Sequence, residues 1–358
     1  MSPKEIEKYL TQSLNMSLNI NGESSYSNSF TVCVEDEGFL FIPRVPASFI
    51  INDALYQKIF SIASAILYPK FTLLKQSGAY FVPLNTNDIH TERALYFPWK
   101  KGVSERLFIN DFEDFPAKYN KSIIPIMKNL TLDFNDVTHV AIAGNSGSGK
   151  SYHLTYWLYI LNSFSELIII DPKFDSPSRW AVKKGIKVIH PSLNRSKNDF
   201  VSQVNESLSD CLKVIFQRQE VLFKNPSFKF KHLIIVIDEL LALSTVTTKQ
   251  IRDDFFGLLS QIALLGRSTN VHLIAVSQRF DANTLPVACR EQFNVMIQLG
   301  NINKKTTQFL FPDLESSEGI VIPKGPGTGL IQIIDGRHEP NVIPLLTPNF
   351  KDKDGIFS

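Results

Sequence analysis

The 358-residue chain has no uninterrupted apolar run of the ~18–20 residues that a membrane-spanning helix needs. The nearest stretch, ALYQKIFSIASAILY at 54–68, is broken by Gln57 and Lys58 and carries a helical period instead. Its start shows no basic-then-apolar leader layout, which together with the missing span predicts a cytoplasmic protein with no integral membrane segment. Cysteine is scarce: Cys33, Cys211 and Cys289 lie far apart and form neither a CxxC nor a Cys/His pattern. That excludes a disulfide framework or a zinc centre and reads as buried free thiols in a reducing compartment. No excess of charge of one sign is present either. With 37 basic and 35 acidic residues the net charge is +2, so contact with nucleic acid must rest on local basic loops. Internal repeats and low-complexity tracts are absent as well.

What is present is the composition of an ordinary folded chain, 44% hydrophobic and 20% charged, long enough for two domains. Ser2-Pro3-Lys4-Glu5 is a capping box with proline at the first helical position, opening a helix with Ile6, Tyr9, Leu10 and Leu14 on one face. Residues 19–29 read as a polar linker. FTVCVEDEGFLFI reads as two strands about an acidic glycine turn, 53–67 as an amphipathic helix and GAYFVPL as a strand. Trp99-Lys100-Lys101 reads as a surface loop, with nucleic-acid contact as the alternative. After about residue 128 the apolar runs THVAIA, ELIII, IKVIH, HLIIVI, VHLIAVS and FNVMIQL alternate with helical stretches such as 201–223 and 249–266. That alternation predicts an α/β domain with a mostly parallel sheet. The expected division is a small α+β domain over 1–125 and the α/β domain over 126–358.

The α/β part carries AGNSGSGKSYHL, a Gly-x-x-x-x-Gly-Lys-Ser loop between an apolar strand and a helix. Gly144, Asn145, Ser146, Gly147, Ser148, Gly149, Lys150, Ser151 and Tyr152 are the expected phosphate cradle. Lys150 is expected to reach the β- and γ-phosphates of ATP and the Ser151 hydroxyl to ligate Mg²⁺. The second half of the site is HLIIVIDELLAL: Asp238 is expected to hold the metal and Glu239 to act as general base on water. A fixed carboxylate of this kind suits repeated hydrolysis. ELIII and IKVIH fall between the loop and the acidic pair, which is read as the inserted strand of a RecA-like motor. Gln278, at the end of VHLIAVSQR, is a candidate γ-phosphate sensor, with a capping amide as the alternative.

Taken together, THVAIAGNSGSGKS, ELIIIDPKFD, HLIIVIDELLAL, LLGRSTNVHLIAVSQRF and GPGTGLIQIIDGRHEPNVIPLL resemble the FtsK/SpoIIIE branch of the FtsK–HerA superfamily over roughly 128–350. The resemblance implies a RecA-like ATPase acting as a homohexameric ring that hydrolyses ATP and threads DNA without reading its sequence. It also implies a trans-acting arginine from the neighbouring subunit. The chain departs from the pattern at the strand after SQR, where Met296 stands in place of that arginine; Arg267, Arg279 and Arg290 are the remaining candidates. Lys304 and Lys305 lie where the family places a basic DNA-contacting loop, and a solvated lysine pair is the alternative. Asp171 and Lys173 of DPK either support the nucleotide site or cap a strand end.

A membrane anchor and a winged helix, both family features, are expected to be missing. The reading is therefore a compact motor for plasmid, conjugative-element or other mobile DNA. A relaxase, replication or transfer protein is its candidate partner, and such a partner could recruit it to the membrane. The alternatives are a viral packaging or secretion-system ATPase, and a slowly hydrolysing nucleotide-dependent adaptor.

Overall fold

The computed structural model describes residues 2–18, 29–44, 51–76, 78–79, 81–110, 115, 122–245, 248–281, 284–312, 314, 319–338 and 341–350. The chain forms two compact units. The first comprises Met1–Ser104, Pro312–Ile322 and Asn341–Pro344; the second comprises Glu105–Phe311, Pro323–Pro340 and Leu345–Ser358. The chain thus passes from one unit to the other near residue 104 and later returns twice, where the sequence reading placed a single boundary at 125.

In the first unit α1 (Pro3–Leu18) begins at the expected capping box: the Ser2 N–H donates to Glu5 Oε2 at 2.6 Å and the Glu5 N–H to Ser2 Oγ at 3.4 Å. Its buried stripe is Ile6, Leu10, Leu14 and Leu18, while Tyr9 stays exposed. β1 (Phe30–Glu35) and β2 (Gly38–Pro43) are the antiparallel hairpin about Asp36-Glu37. α2 (Asp53–Leu67) is capped by the Asn52 side chain, which accepts from the Leu55 N–H at 3.0 Å. β3 (Phe71–Leu73), β4 (Phe81–Pro83) and β5 (Arg93–Lys101) complete an antiparallel sheet of order β1–β2–β5–β3, with β4 also on β5. The two helices and the sheet share one aromatic-rich core that includes Tyr56, Phe60, Phe39, Phe97 and Trp99.

Two expectations change here. Trp99-Lys100-Lys101 is the end of β5 rather than a surface loop, and Trp99 is buried with its indole N–H donating to the Asp36 carbonyl at 3.1 Å. A ring held that way has no free face for a base. The 19–29 linker lies, except for Ser29, outside the described residues.

The second unit is an α/β sheet. Its leading strands are β6 (Phe108–Ile109), β7 (Ile123–Met127) and β8 (Leu130–Asp133). β9 (Val140–Gly144), α3 (Lys150–Asn162), β10 (Ser165–Ile170), α4 (Ser176–Lys183), β11 (Lys187–Ile189), α5 (Lys197–Lys224) and β12 (His232–Ile237) follow. Next come α6 (Leu240–Thr245), α7 (Lys249–Leu265), β13 (Val271–Ser277), α8 (Val287–Arg290), β14 (Val295–Leu299) and α9 (Lys304–Thr307). β15 (Thr328–Ile333), β16 (Ile343–Leu346) and β17 (Asn349–Phe350) close the order. The main sheet runs β11–β10–β12–β13–β9–β14–β15–β16. From β11 through β14 every pairing is parallel, and β15 returns antiparallel on β14. β12 and β13 are buried along their whole length, which is why their sequences are continuous apolar runs without alternation.

The strand physically inserted between β9 and β12 is β13, which follows the acidic pair in sequence. ELIII and IKVIH, the strands expected to occupy that place, form β10 and β11 on the far side of β12. Sequence order and spatial order diverge because each parallel crossover can return to either side of the strand it leaves.

Candidate functional site

Parallel strands deliver their following loops to one sheet edge. The loops after β9, β10, β12 and β13 therefore meet, and they carry Gly144–Ser151, Asp171–Asp175, Asp238-Glu239 and Gln278-Arg279 respectively. The loop after β14, leading to Lys304-Lys305, emerges on the same edge. Arg267 precedes β13 and Arg290 precedes β14, so both belong to the opposite edge.

The phosphate loop is shaped by its glycines. Gly147 and Gly149 have φ of +76° and +94°, and Gly149 is the N-cap of α3, so a side chain there would strain the turn into the helix. The loop is also backed from behind: the Gly327 N–H donates to the Ser148 carbonyl at 2.9 Å, and Gly300 lies so close that a Cβ there would stand 2.8 Å from that of Ser148. Ser148 is buried, and its hydroxyl has no hydrogen-bond partner among the described residues. The Lys150 ammonium folds back to donate to the Gly144 carbonyl at 2.6 Å. Burial holds its pKa below the ordinary lysine value, against the pull of Glu239 and Asp238. Ser151 Oγ lies 3.5 Å from Asp175 Oδ2.

Asp238 and Glu239 follow β12 directly and both are buried. Burial, with Asp171 and Glu239 adding to it, pushes the Asp238 carboxyl up to about 7, while Lys150 and Lys173 oppose the shift. A carboxylate that is costly to ionise alone is one that a divalent cation would relieve. Glu239 sits in the left-handed region at φ +61°, an uncommon conformation for a non-glycine residue. Its Oε2 accepts from Lys173 Nζ at 2.6 Å and from Gln278 Nε2 at 3.5 Å, the outer limit of a hydrogen bond. Burial works against the Lys173 charge, but the bond to Glu239 and the surrounding carboxylates hold its pKa above the ordinary value.

The other sequence candidates separate. Tyr152 engages Phe350: its ring stacks on that ring at 3.9 Å between centroids, and its hydroxyl donates to the Phe350 carbonyl at 2.8 Å. Arg279 pairs with Asp281 at 3.0 Å, Arg290 lies over the Phe309 ring, and Arg267 is exposed beside a cavity of about 470 Å³. Lys304 and Lys305 are exposed, not on a loop but in the single turn α9, capped by Asn303 and Thr306. Met296 is buried within β14, between Ala141 of β9 and Gln332 of β15.

No protein-family profile matches the chain. Over 226 residues it is 23% identical to the Ftsk domain-containing protein YdcQ of Bacillus subtilis, a match covering 62% of this chain and 46% of that protein. It is 24% identical over 195 residues to the DNA translocase FtsK of Staphylococcus aureus, covering 47% of this chain and 24% of that one. The chain resembles the FtsK-type ATPases. It spans about half the length of the first of these relatives and about a quarter of the second. Among solved structures it matches the pCW3 conjugation coupling protein TcpA, in a monomer form with ATPγS, with a TM-score of 0.55 at 17% identity, over 97% of this chain and 96% of that one. That likeness shows a shared fold.

Within this FtsK-like core the sequence reading missed two contacts. One is the partner of Lys173, which the sequence offers only as a support of the nucleotide site or a strand cap: its reach to Glu239 spans 66 positions and leaves no local pattern. The other is Arg106, whose guanidinium donates to the Thr347 carbonyl at 2.8 Å and the Pro326 carbonyl at 3.1 Å, fixing the turn that backs the phosphate loop. The sequence signal for the second was the GPGTG stretch itself, which needs an anchor.

Proposed function

We propose that the chain is an ATP-driven translocase of DNA that works as a homohexameric ring on plasmid, conjugative-element or other mobile DNA. The observation that carries this reading is the meeting of Lys150, Ser151, Asp238, Glu239 and Gln278 at one edge of a sheet in RecA-like order, with β13 between β9 and β12. The similarity to a DNA translocase and the fold shared with a conjugation coupling protein give it direction.

The residues fit ATP with Mg²⁺. Gly147 and Gly149 shape a cradle at the start of α3, and the buried Ser148 hydroxyl is an unmatched donor beside it. The Ser151 hydroxyl and the Asp238 carboxylate are hard oxygen ligands of the kind Mg²⁺ takes together with phosphates and water. When bound, the ion neutralises charge on the phosphates. Lys150 leaves the Gly144 carbonyl for the β- and γ-phosphates, Glu239 accepts the proton of the attacking water, and Gln278 reports the γ-phosphate to Glu239. The neighbouring subunit supplies the further positive charge from Arg267, Arg279 or Arg290, and Lys304-Lys305 grip the DNA backbone. The protein works in the cytoplasm, brought to the membrane by a relaxase, replication or transfer partner. Among the described residues no helix is long and apolar enough to cross a membrane.

The test is ATP turnover with and without double- and single-stranded DNA, beside Lys150→Ala. DNA-stimulated turnover that the variant lacks supports the reading; turnover indifferent to DNA, with no DNA-bound ring, overturns it. The buried Met296 favours a second reading, a slowly hydrolysing adaptor. Sustained turnover that collapses in Glu239→Gln excludes it.

A further inference from the structure

The loop after β10 is built to reach both halves of the site. Asp171, fully buried at the strand end, accepts two backbone N–H groups: Oδ1 from Lys173 at 2.7 Å and Oδ2 from Asp175 at 2.8 Å. Phe174 between them has φ of +53°, so the loop folds back on itself around that carboxylate. The fold sends two side chains in defined directions. Asp175 caps α4 through Oδ1, taking the Ser176 N–H at 2.8 Å, and turns Oδ2 toward the Ser151 hydroxyl. Lys173 crosses to Glu239, a half-exposed ammonium on a carboxylate that is only 6% exposed.

Both donors to the Glu239 carboxylate, Lys173 and Gln278, converge on Oε2. Among the described residues Oε1 accepts no hydrogen bond. A free carboxylate rotates between two equivalent oxygens, whereas this one has one oxygen tethered and one left over. The tether acts on a residue whose backbone is already fixed in the left-handed region, so rotation about the side-chain bonds is the freedom that remains.

We propose that Lys173 is a positioning residue for hydrolysis: it holds Glu239 Oε2 and presents Oε1 as the proton acceptor for the attacking water. Asp171 sets the loop that aims it. This rests on Glu239 acting as the general base. Lys173 touches no reacting atom, so its effect falls on the geometry of the base and not on nucleotide binding. A surface ion pair of similar length contributes little, but here one partner is buried and has two oxygens to distinguish.

The experiment compares steady-state ATP turnover and the affinity for a fluorescent ATP analogue in the parent chain, Lys173→Ala, Lys173→Arg, Glu239→Gln and Lys173→Ala/Glu239→Gln. Thermal unfolding confirms that each variant folds. Lys173→Ala is expected to lower kcat about 10–100-fold with KM for ATP held within about threefold, a fraction of what a general base contributes. Lys173→Arg recovers most of that loss, since a guanidinium keeps a donor on Oε2. In the Glu239→Gln background, Lys173→Ala is expected to cost nothing further, because the two act as one unit. Parental kcat in Lys173→Ala, a change confined to KM or analogue affinity, or additive losses in the double variant overturn the positioning role. A parent chain that hydrolyses no ATP overturns the hydrolytic reading itself, and the positioning role with it.

Discussion

The Lys150 ammonium is folded onto the carbonyl of Gly144, 2.6 Å away and within its own loop. That bond holds the half-buried ammonium inside the cradle that the glycines shape. Lys150→Ala is therefore expected to lower kcat by about 10²–10³-fold, the usual cost of losing one donor to developing phosphate charge, and to weaken ATP analogue binding. Stability should change little, since the lost contact is one hydrogen bond worth about 1 kcal/mol. Turnover and thermal unfolding on the same samples check both halves; turnover kept within threefold would exclude Lys150 from the chemistry.

Glu239 combines function with backbone strain. Its left-handed φ of +61° is tolerated better by asparagine than by most residues. Glu239→Asn should remove at least about 100-fold of turnover, as expected for a general base, while leaving thermal stability equal or slightly higher. A parallel fall in turnover and stability would instead mark Glu239 as a structural residue.

Tyr152 offers a test that separates position in a motif from position in space. Its hydroxyl accepts the Phe350 N–H at 2.8 Å and donates to the Phe350 carbonyl. Tyr152→Phe leaves that N–H unmatched and should cost about 1–2 kcal/mol of stability. Affinity for an ATP analogue should stay within about twofold. A larger loss of affinity with unchanged stability would return the tyrosine hydroxyl to the phosphate cradle.

Acid should weaken the second unit through its buried histidines. His139 Nδ1 accepts the Leu273 N–H and Nε2 faces the Ala263 carbonyl, both at 2.9 Å, so the neutral ring is fully matched. Burial holds the His139 pKa down at about 4, and burial together with the neighbouring His232 holds His272 at about 3. Unfolded histidine takes its proton near pH 6.5, so below that pH the unfolded state binds more protons and stability falls. The contribution is complete above pH 6.5 and is lost at about 1.4 kcal/mol per pH unit for each group, down to the native values. Urea midpoints at pH 7.5 and 5.0, followed through Trp157 and Trp180 in a Trp99→Phe background, should drop at the lower pH. Equal midpoints would mean that these rings titrate normally.

Much of the site was legible because its chemistry is written in contiguous residues. A glycine frame, a lysine and a hydroxyl announce the phosphate loop, and an apolar strand ending in Asp-Glu announces its partner. What stayed hidden depends on contacts between distant residues. β13 takes the place expected of β10 and β11 because strand order is decided by crossovers, which leave no mark on the strands themselves. Pro98 disguised the end of β5: it sits opposite Gly38 in the β2 pairing, a placement that only the register reveals. The Lys304-Lys305 pair read as a loop because its capping pair, Asn303 and Thr306, lacks the acidic third residue of the usual signature.

Ser148 is walled in by Gly300, and its carbonyl is held by Gly327, although the three positions are spread over 180 residues. Gly300 is fixed a second time by its own backbone, at φ +80°, where any side chain is strained. A library randomised at Gly300 alone should return only glycine among functional clones. One randomised at Ser148 and Gly300 together should still return glycine at 300, because that φ strains a side chain whatever space a smaller residue at 148 opens. The phosphate loop is in that sense assembled from three segments of the chain, one of which has no room for a side chain of its own.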